Sequence, residues 1–205
     1  MTGTDTEVGK TYVSRLILQE LREQGVNAVG YKPVSSGDRT DAEQLAEVCG
    51  IEDLELINPY HFETPVAPMV AGLIHAQEVD PEVLTSRFEQ LSRDYDYVVI
   101  EGAGGWRTPY LRGQGIGNIF KAYNLPAVLV VGNKLGAINH SVLSYEVLKA
   151  DGVSNVSMVL NNLQDELDNA TISNGGIIES MLKTEFVENV IQGQTYLDLE
   201  KFTCF

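Results

Sequence analysis

Two lysines, two carboxylates and a threonine hydroxyl stand in this chain where phosphate chemistry would need them. Gly3-Thr4-Asp5-Thr6-Glu7-Val8-Gly9-Lys10-Thr11 runs straight into a stretch with Val13, Leu16, Ile17 and Leu21 at helical spacing. Glycines let successive N–H groups turn toward an anion, and the following helix, expected over Lys10 to Gln24, points its positive end at the same place. In such a loop Lys10 reaches the outer phosphates and the Thr11 hydroxyl ligates Mg²⁺. The spacing departs by one from G-x-x-x-x-G-K-[ST]: the first glycine is due at position 4, where Thr4 stands, and Gly3 is one early. A plain Gly/Thr turn before a helix is the bland alternative, and Gly-Lys-Thr opening an amphipathic helix speaks against it.

The other candidates lie at the ends of apolar runs. Asn27 to Val34 reads as a buried strand with Pro33 at its exit, so Lys32 falls at the carboxyl edge where open α/β sheets bind ligands. It is either a solvated strand end or an active-site cation, and the phosphate loop favours the cation. Tyr97 to Ile100 reads as a strand buried on both faces. It ends in Glu101-Gly102-Ala103-Gly104-Gly105-Trp106, an acidic residue placed to hold Mg²⁺ followed by glycines that allow a ligand close to the backbone. Thr40-Asp41-Ala42-Glu43 has a capping-box pattern, and Asp41 is explained on its own as a first-turn carboxylate favoured by the helix dipole. Leu135 to His140 leads into a helix capped at Asn139 and ending at Gly152, whose start suits a second anion such as a substrate carboxylate.

The elements that must position these residues follow from the pattern. Pro126 to Gly132, Val156 to Leu160 and Val187 to Ile191 are further strands. Asp80-Pro81 starts a helix with Val83, Leu84, Phe88 and Leu91 facing inward. Strands alternate with helices, which predicts a three-layer α/β fold with a mostly parallel central sheet, similar to the P-loop NTPases. Residues 1–205 read as one domain. A phosphate loop normally follows a buried strand and only Met1 and Thr2 precede this one, so either a central first strand has been lost or the loop has unusual support, and the reading is a truncated start. Gln164 to Asn174 is the most linker-like piece. A net charge of −15 argues against a nucleic-acid surface. No apolar run approaches a membrane span and no leader is visible, so the reading is a cytoplasmic protein. Cys49 and Cys204 make no disulfide framework, and Cys49 fits an apolar helix face.

Five stretches taken together resemble dethiobiotin synthetase: residues 3 to 11, Tyr31-Lys32-Pro33-Val34-Ser35-Ser36-Gly37, Asn58-Pro59-Tyr60, Glu101 to Trp106, and Val130 to His140. The similarity runs in order from residue 3 to about Asn161, and the one-residue offset of the loop is that family's form. The resemblance implies an enzyme that uses ATP, Mg²⁺ and CO₂ to close the ureido ring of dethiobiotin from 7,8-diaminopelargonate. It implies that Gly3 to Thr11, including Thr4, Asp5, Glu7, Val8 and Gly9, holds ATP with Glu101, Gly102, Gly104 and Asn161, the last at the adenine. Lys10 and Lys32 would be the cations of catalysis, and Thr6 and Ser36 would position carbamate or phosphate oxygens. Thr11, Asp41 and Glu101 would arrange Mg²⁺, a role for Asp41 beyond capping. Gly136, Ala137, Ile138 and Asn139 would receive the substrate carboxylate, and the protein would be a homodimer.

The chain departs from the family pattern at Gly117-Asn118-Ile119, where an aspartate is usual, and at Gly193 to Leu197, where a proline is usual near the base pocket; the latter implies relaxed base selectivity. A rival reading is a nucleotide switch similar to the ParA/MinD-type ATPases. Those carry an extra early lysine where this chain has Thr4-Asp5-Thr6. The amide-forming enzymes of cobyrinic acid synthesis are longer and carry a glutaminase part. A degenerate binding protein would not be expected to keep Lys10, Lys32, Asp41 and Glu101.

Overall fold

The computed structural model describes residues 1–162 and 168–202. Its backbone is a parallel sheet whose strands all end near one edge. Strand β1 (Thr2–Gly3) is followed by the loop and helix α1 (Lys10–Glu23), then β2 (Ala28–Tyr31). The expected strand over residues 27–34 is two strands instead, because Pro33 interrupts the ladder and a short β3 (Val34–Ser36) resumes beyond it. Next come α2 (Thr40–Cys49), α3 (Leu54–Ile57) and β4 (Tyr60–Phe62), the last of which pairs in parallel with β3. Helices α4 (Pro68–Ile74) and α5 (Pro81–Asp94) lead to β5 (Tyr97–Ile100). A small antiparallel pair, β6 (Pro109–Leu111) and β7 (Gln114–Gly115), precedes α6 (Ile116–Ile119). The chain closes with β8 (Ala127–Gly132), α7 (Ala137–Ala150), β9 (Val156–Asn161), α8 (Asn169–Leu182) and β10 (Phe186–Val190).

The sheet order is β1-β8-β9-β10 on one side and β2-β5 on the other, every pair parallel. The halves meet at the chain start: the Met1 amino group donates to Ile100 O at 2.6 Å, Gly102 N donates to Met1 O at 3.1 Å, and Gly3 bridges Gly105. The spatial order is therefore β2-β5-β1-β8-β9-β10. Strand β8 is buried along its whole length, as its unbroken apolar run Ala-Val-Leu-Val-Val requires. The expectation that β5 is buried on both faces fails: only Val99 is fully buried, because β1 is too short to cover the β5 edge.

Several boundaries differ from the sequence reading for local reasons. Thr40 is the first helical residue of α2 and Arg39 the N-cap, with no side-chain cap, so the expected Thr40/Glu43 capping box does not form. Helix α7 starts two residues before Asn139, because Gly136 takes φ 94° and serves as its N-cap, and the helix ends at Ala150. Val83 on α5 is 38% exposed rather than inward, whereas Asp80 caps that helix as expected by accepting from Glu82 N. The segment read as linker-like becomes α8 from Asn169, with Asp168 accepting from Thr171 N; its first part, within residues 163–167, lies outside the described residues, as does Cys204. Asn118, where the family pattern has an aspartate, accepts from Gly115 N, and a Cβ at Gly117 would lie 1.9 Å from the Trp106 ring. Leu129 has no solvent exposure at the centre of the sheet, so Leu129→Ala is expected to cost about 2–5 kcal/mol. Calorimetry should show the unfolding midpoint lower by roughly 5–15 °C.

Candidate active site

The carboxyl edges of β1, β2 and β5 bring four of the expected residues into one contact cluster. Lys32, just past β2, is 2% exposed, and its Nζ lies 2.6 Å from Asp41 Oδ2 and 2.7 Å from Glu101 Oε1. The Thr11 hydroxyl, in the first turn of α1, is within hydrogen-bond reach of Asp41 Oδ1 (2.7 Å) and Glu101 Oε1 (2.8 Å). Parallel β2–β5 pairing fixes this juxtaposition: Tyr31 lies opposite Ile100, and Glu101 N donates to Tyr31 O, so the next residues of both strands emerge side by side. Asp41 arrives from the first turn of α2, with its side chain 48% exposed.

Burial alone would push the Lys32 ammonium toward neutrality, but the charges of Glu101 and Asp41 and their hydrogen bonds outweigh it and hold the group above the ordinary lysine value. For Asp41, burial raises the carboxyl, and Lys32 together with the Thr11 hydroxyl more than reverses that, leaving it below the usual range. Lys10 goes the other way. Burial and then the neighbouring Lys32 charge lower its ammonium, only partly offset by Glu101, Asp41 and Asp5. Its Nζ donates to Asp5 O at 3.1 Å, across the mouth of the loop. An anion received there would relieve the mutual repulsion of the two lysines.

The loop's shape is set by a few close approaches. A Cβ on Gly3 would sit 2.7 Å from Val8 Cγ2 and 3.0 Å from Asp5 O, and Gly9 takes φ 84° as it hands over to α1. Glu7 also adopts a left-handed backbone, φ 55°, while Val8 is fully buried beneath the turn. Asn161, at the end of β9, donates to Val8 O at 2.9 Å, so it anchors the loop from below. Thr4 is half-buried and Thr6 exposed on the loop surface; Asp5 Oδ1 accepts from Thr6 N. Gly102 gives its N–H to Met1 O, and Gly104 takes φ 65° where a Cβ would meet Thr108 Oγ1 at 2.5 Å.

Other expected residues lie beside the cluster rather than in it. Ser36, in β3, donates its hydroxyl to Val66 O at 2.7 Å. Gly136, Ala137, Ile138 and Asn139 form the first turn of α7 beyond β8, and Lys134 ties this region to the loop through an ion pair with Asp5 at 3.3 Å. A cleft of 340 Å³ lies between the loop and the middle of α7, bounded by Thr4 to Thr6, Arg107, Thr108, Leu143 and Val147 and not by the first turn of that helix. The sequence reading missed the Asn58 support. Asn58 is fully buried, and its amide donates to Lys32 O (2.8 Å) while its carbonyl accepts from Ser35 Oγ (3.0 Å) and Arg39 Nε (2.8 Å). The Asn58-Pro59-Tyr60 turn was visible in the sequence; that its asparagine fixes the strand end carrying Lys32 was not.

The donor set suits a small hard cation. Glu101 Oε2 is buried with no hydrogen-bond partner, and Asp41, Glu101 and Thr11 offer oxygen only. Among the described residues no group of three or more His, Cys, Asp or Glu side chains could hold a metal by itself. Two carboxylates and a hydroxyl, completed by phosphate oxygens, match how Mg²⁺ is bound in nucleotide sites.

A family model described as an AAA domain matches residues 1–193. The chain is 42% identical to an ATP-dependent dethiobiotin synthetase of Akkermansia muciniphila, over 98% of this chain and 94% of that protein. It is 37% identical to the enzyme of the same name from Vibrio parahaemolyticus, over 80% of this chain and 75% of that one. Among solved structures the MinC:MinD cell division protein complex of Aquifex aeolicus superposes with a TM-score of 0.58 over 91% of this chain and 77% of that one, at 16% identity, a likeness of fold alone.

Breaking a buried ion pair by removing one partner costs about 3–5 kcal/mol, so Lys32→Met is expected to be less stable by that order at pH 7. The sign with pH follows from the shifts. In the parent, the depressed Asp41 carboxyl stabilises the fold above its unfolded value and loses that contribution as pH falls through its folded one. Without Lys32 the Asp41 carboxyl is no longer held down, so calorimetry should show the deficit unchanged from pH 7 to about pH 4 and narrowing as the pH falls below that.

Proposed function

The chain belongs to the ATP-dependent dethiobiotin synthetases, ligases of biotin biosynthesis with a P-loop NTPase-like fold, and we propose that the cluster around Lys32 carries their reaction here. CO₂ adds to one amine of 7,8-diaminopelargonate to give a carbamate. The carbamate takes the γ-phosphoryl group of ATP to form a carbamic–phosphoric anhydride, and the second amine attacks its carbon and expels phosphate, closing the ureido ring. Each step places negative charge on a small set of oxygens, so the demand on the protein is positioning and charge neutralisation.

The observation that carries this reading is a buried, charged lysine at the focus of the strand edges beside a phosphate loop. Lys10 holds the β- and γ-phosphates, with loop N–H groups from Gly3 to Thr11 around them. Lys32 bridges carbamate and γ-phosphate, for which it exchanges a carboxylate contact for the substrate anion. Thr6 and Ser36 place carbamate or phosphate oxygens, the latter by turning its hydroxyl from Val66 O. Thr11, Asp41 and Glu101 would hold Mg²⁺, which would supply positive charge beside the transferring group. Asn161 and the glycine turn at Gly102 and Gly104 border the nucleotide, and the first turn of α7 from Gly136 to Asn139 receives the distant carboxylate. Leu135, Leu143, Ile172 and Met181 are each more than half exposed on the α7/α8 side, an apolar face that supports a homodimer next to the cleft. No helix among the described residues is long and apolar enough to cross a membrane, and we place the enzyme in the cytoplasm.

Purified protein is expected to form labelled dethiobiotin from diaminopelargonate, bicarbonate and MgATP, with CTP and GTP arms reading base selectivity. ATP turnover that ignores diaminopelargonate and gives no cyclic product would refute the assignment. In the same assay Lys32→Ala should lower kcat by at least roughly 10² while ATP affinity changes by no more than about tenfold. Unchanged turnover would remove Lys32 from the chemistry.

A further inference from the structure

One side chain ties the segment after β10 to the start of α1. The Tyr12 hydroxyl carries a single proton and donates it to Gln194 O at 2.7 Å, with Ile191 O also within reach at 3.2 Å. Tyr12 directly follows Lys10 and Thr11, the residues proposed to hold the outer phosphates and the metal. Helix α1 separates two sides of that site. Thr11 turns toward Asp41 and Glu101. One residue later the helix has rotated by roughly 100°, and Tyr12 reaches the residues that leave β10. There β10 is level with β9: Val190 pairs with Asn161, and Asn162 N donates to Val190 O at 2.8 Å. Asn161 in turn donates to Val8 O in the loop. In the proposed reaction the transferring phosphoryl group meets Lys32 on the first side, so the base of the same nucleotide falls on the second, beside the 191–194 turn.

That turn bridges two fixed ends. Upstream, Val190 has no solvent exposure; downstream, Leu197, Leu199 and Phe202 are buried in the core. Between them Ile191 and Tyr196 are each more than half exposed, Gly193 takes φ 77°, and no proline restricts the backbone. Hydrogen bonds restrict it instead. Gln194 N donates to Ile191 O and Gln194 Oε1 accepts from Ile191 N, both at 3.2 Å, and Gln194 Nε2 donates to Tyr196 O at 2.7 Å. These bonds close the turn on itself, and the Tyr12 hydroxyl holds the closed turn against α1.

We propose that Tyr12 is a positioning residue for the nucleoside: its hydroxyl fixes the 191–194 turn at the base end of the site, so that a nucleotide is held more tightly than its triphosphate alone. The inference rests on the nucleotide reading of the site given above. A turn held in place before binding loses little freedom when the base arrives, so less of the interaction energy is spent on ordering it. The constraint that a proline would give this segment is supplied here by hydrogen bonds to and within the turn.

Tyr12→Phe keeps the ring that packs on the core and removes only the hydroxyl. Titration calorimetry in Mg²⁺, without diaminopelargonate, compares ATP with inorganic tripolyphosphate on the parent and on this variant. The variant is expected to bind ATP at least about fivefold more weakly, the size of one lost hydrogen bond, and tripolyphosphate within about twofold of the parent. A general loosening of the loop would weaken both ligands alike. That result, or ATP affinity unchanged in the variant, would overturn the proposal. A parent that binds ATP no more tightly than tripolyphosphate would overturn it too. Failure of the diaminopelargonate assay would strike the assigned reaction instead and leave these affinities as they are.

Discussion

A lysine with almost no access to water stays charged only beside compensating carboxylates, and Lys32 has two of them within 2.7 Å. Glu101, its fully buried partner, sits at the end of β5, and Asp41 at the head of α2. The pair therefore fastens the carboxyl edges of two neighbouring strands to a helix start, and Thr11 extends the fastening to the phosphate loop. Apolar side chains of similar volume could close such a junction at no net loss of stability. What they could not supply is a pre-positioned cation with an oxygen-only donor set beside it. The cluster is thus a structural joint made of the parts proposed for catalysis, and its cost is charge sequestered from water.

The loop depends on the same junction. Burial and then the field of Lys32 lower Lys10, offset only in part by Glu101, Asp41 and Asp5, so an anion at the loop would stabilise its charge. Close packing at Gly3 and the left-handed turn at Gly9 give the loop its shape, and Asn161 holds it from below through Val8 O. Asn58 does the equivalent for Lys32 by binding its carbonyl. Neither asparagine belongs to the contact cluster; each fixes the backbone from which a cluster or loop residue projects.

Much of this was legible in the sequence because the physics is local. Gly-Lys-Thr before a helical periodicity located the loop and α1, and the runs at 97–100 and 127–132 gave β5 and β8, since unbroken Val/Ile/Leu stretches suit fully covered parallel strands. That Lys32 and Glu101 would emerge at one edge followed from the sheet rule. Their direct contact did not, because it rests on β2–β5 register, a long-range fact with no local mark. Asp41 read as a helix-start carboxylate, which it also is; its second role appears only when α2 is docked against the strand ends. Helix α8 was hidden by polar, glycine-containing sequence whose burial comes from tertiary packing rather than from its own pattern: buried Asn174 donates to Asn133 Oδ1 and Lys134 O in the turn after β8.

If the Lys32–Glu101 pair is the joint on which the site depends, its members must be coupled in energy. A double-mutant cycle of Lys32→Met and Glu101→Gln, read by reversible denaturation at pH 7, measures that coupling directly. The account predicts that each single change is costly and that the double variant recovers at least about 2 kcal/mol of the summed loss. Additive losses would contradict it.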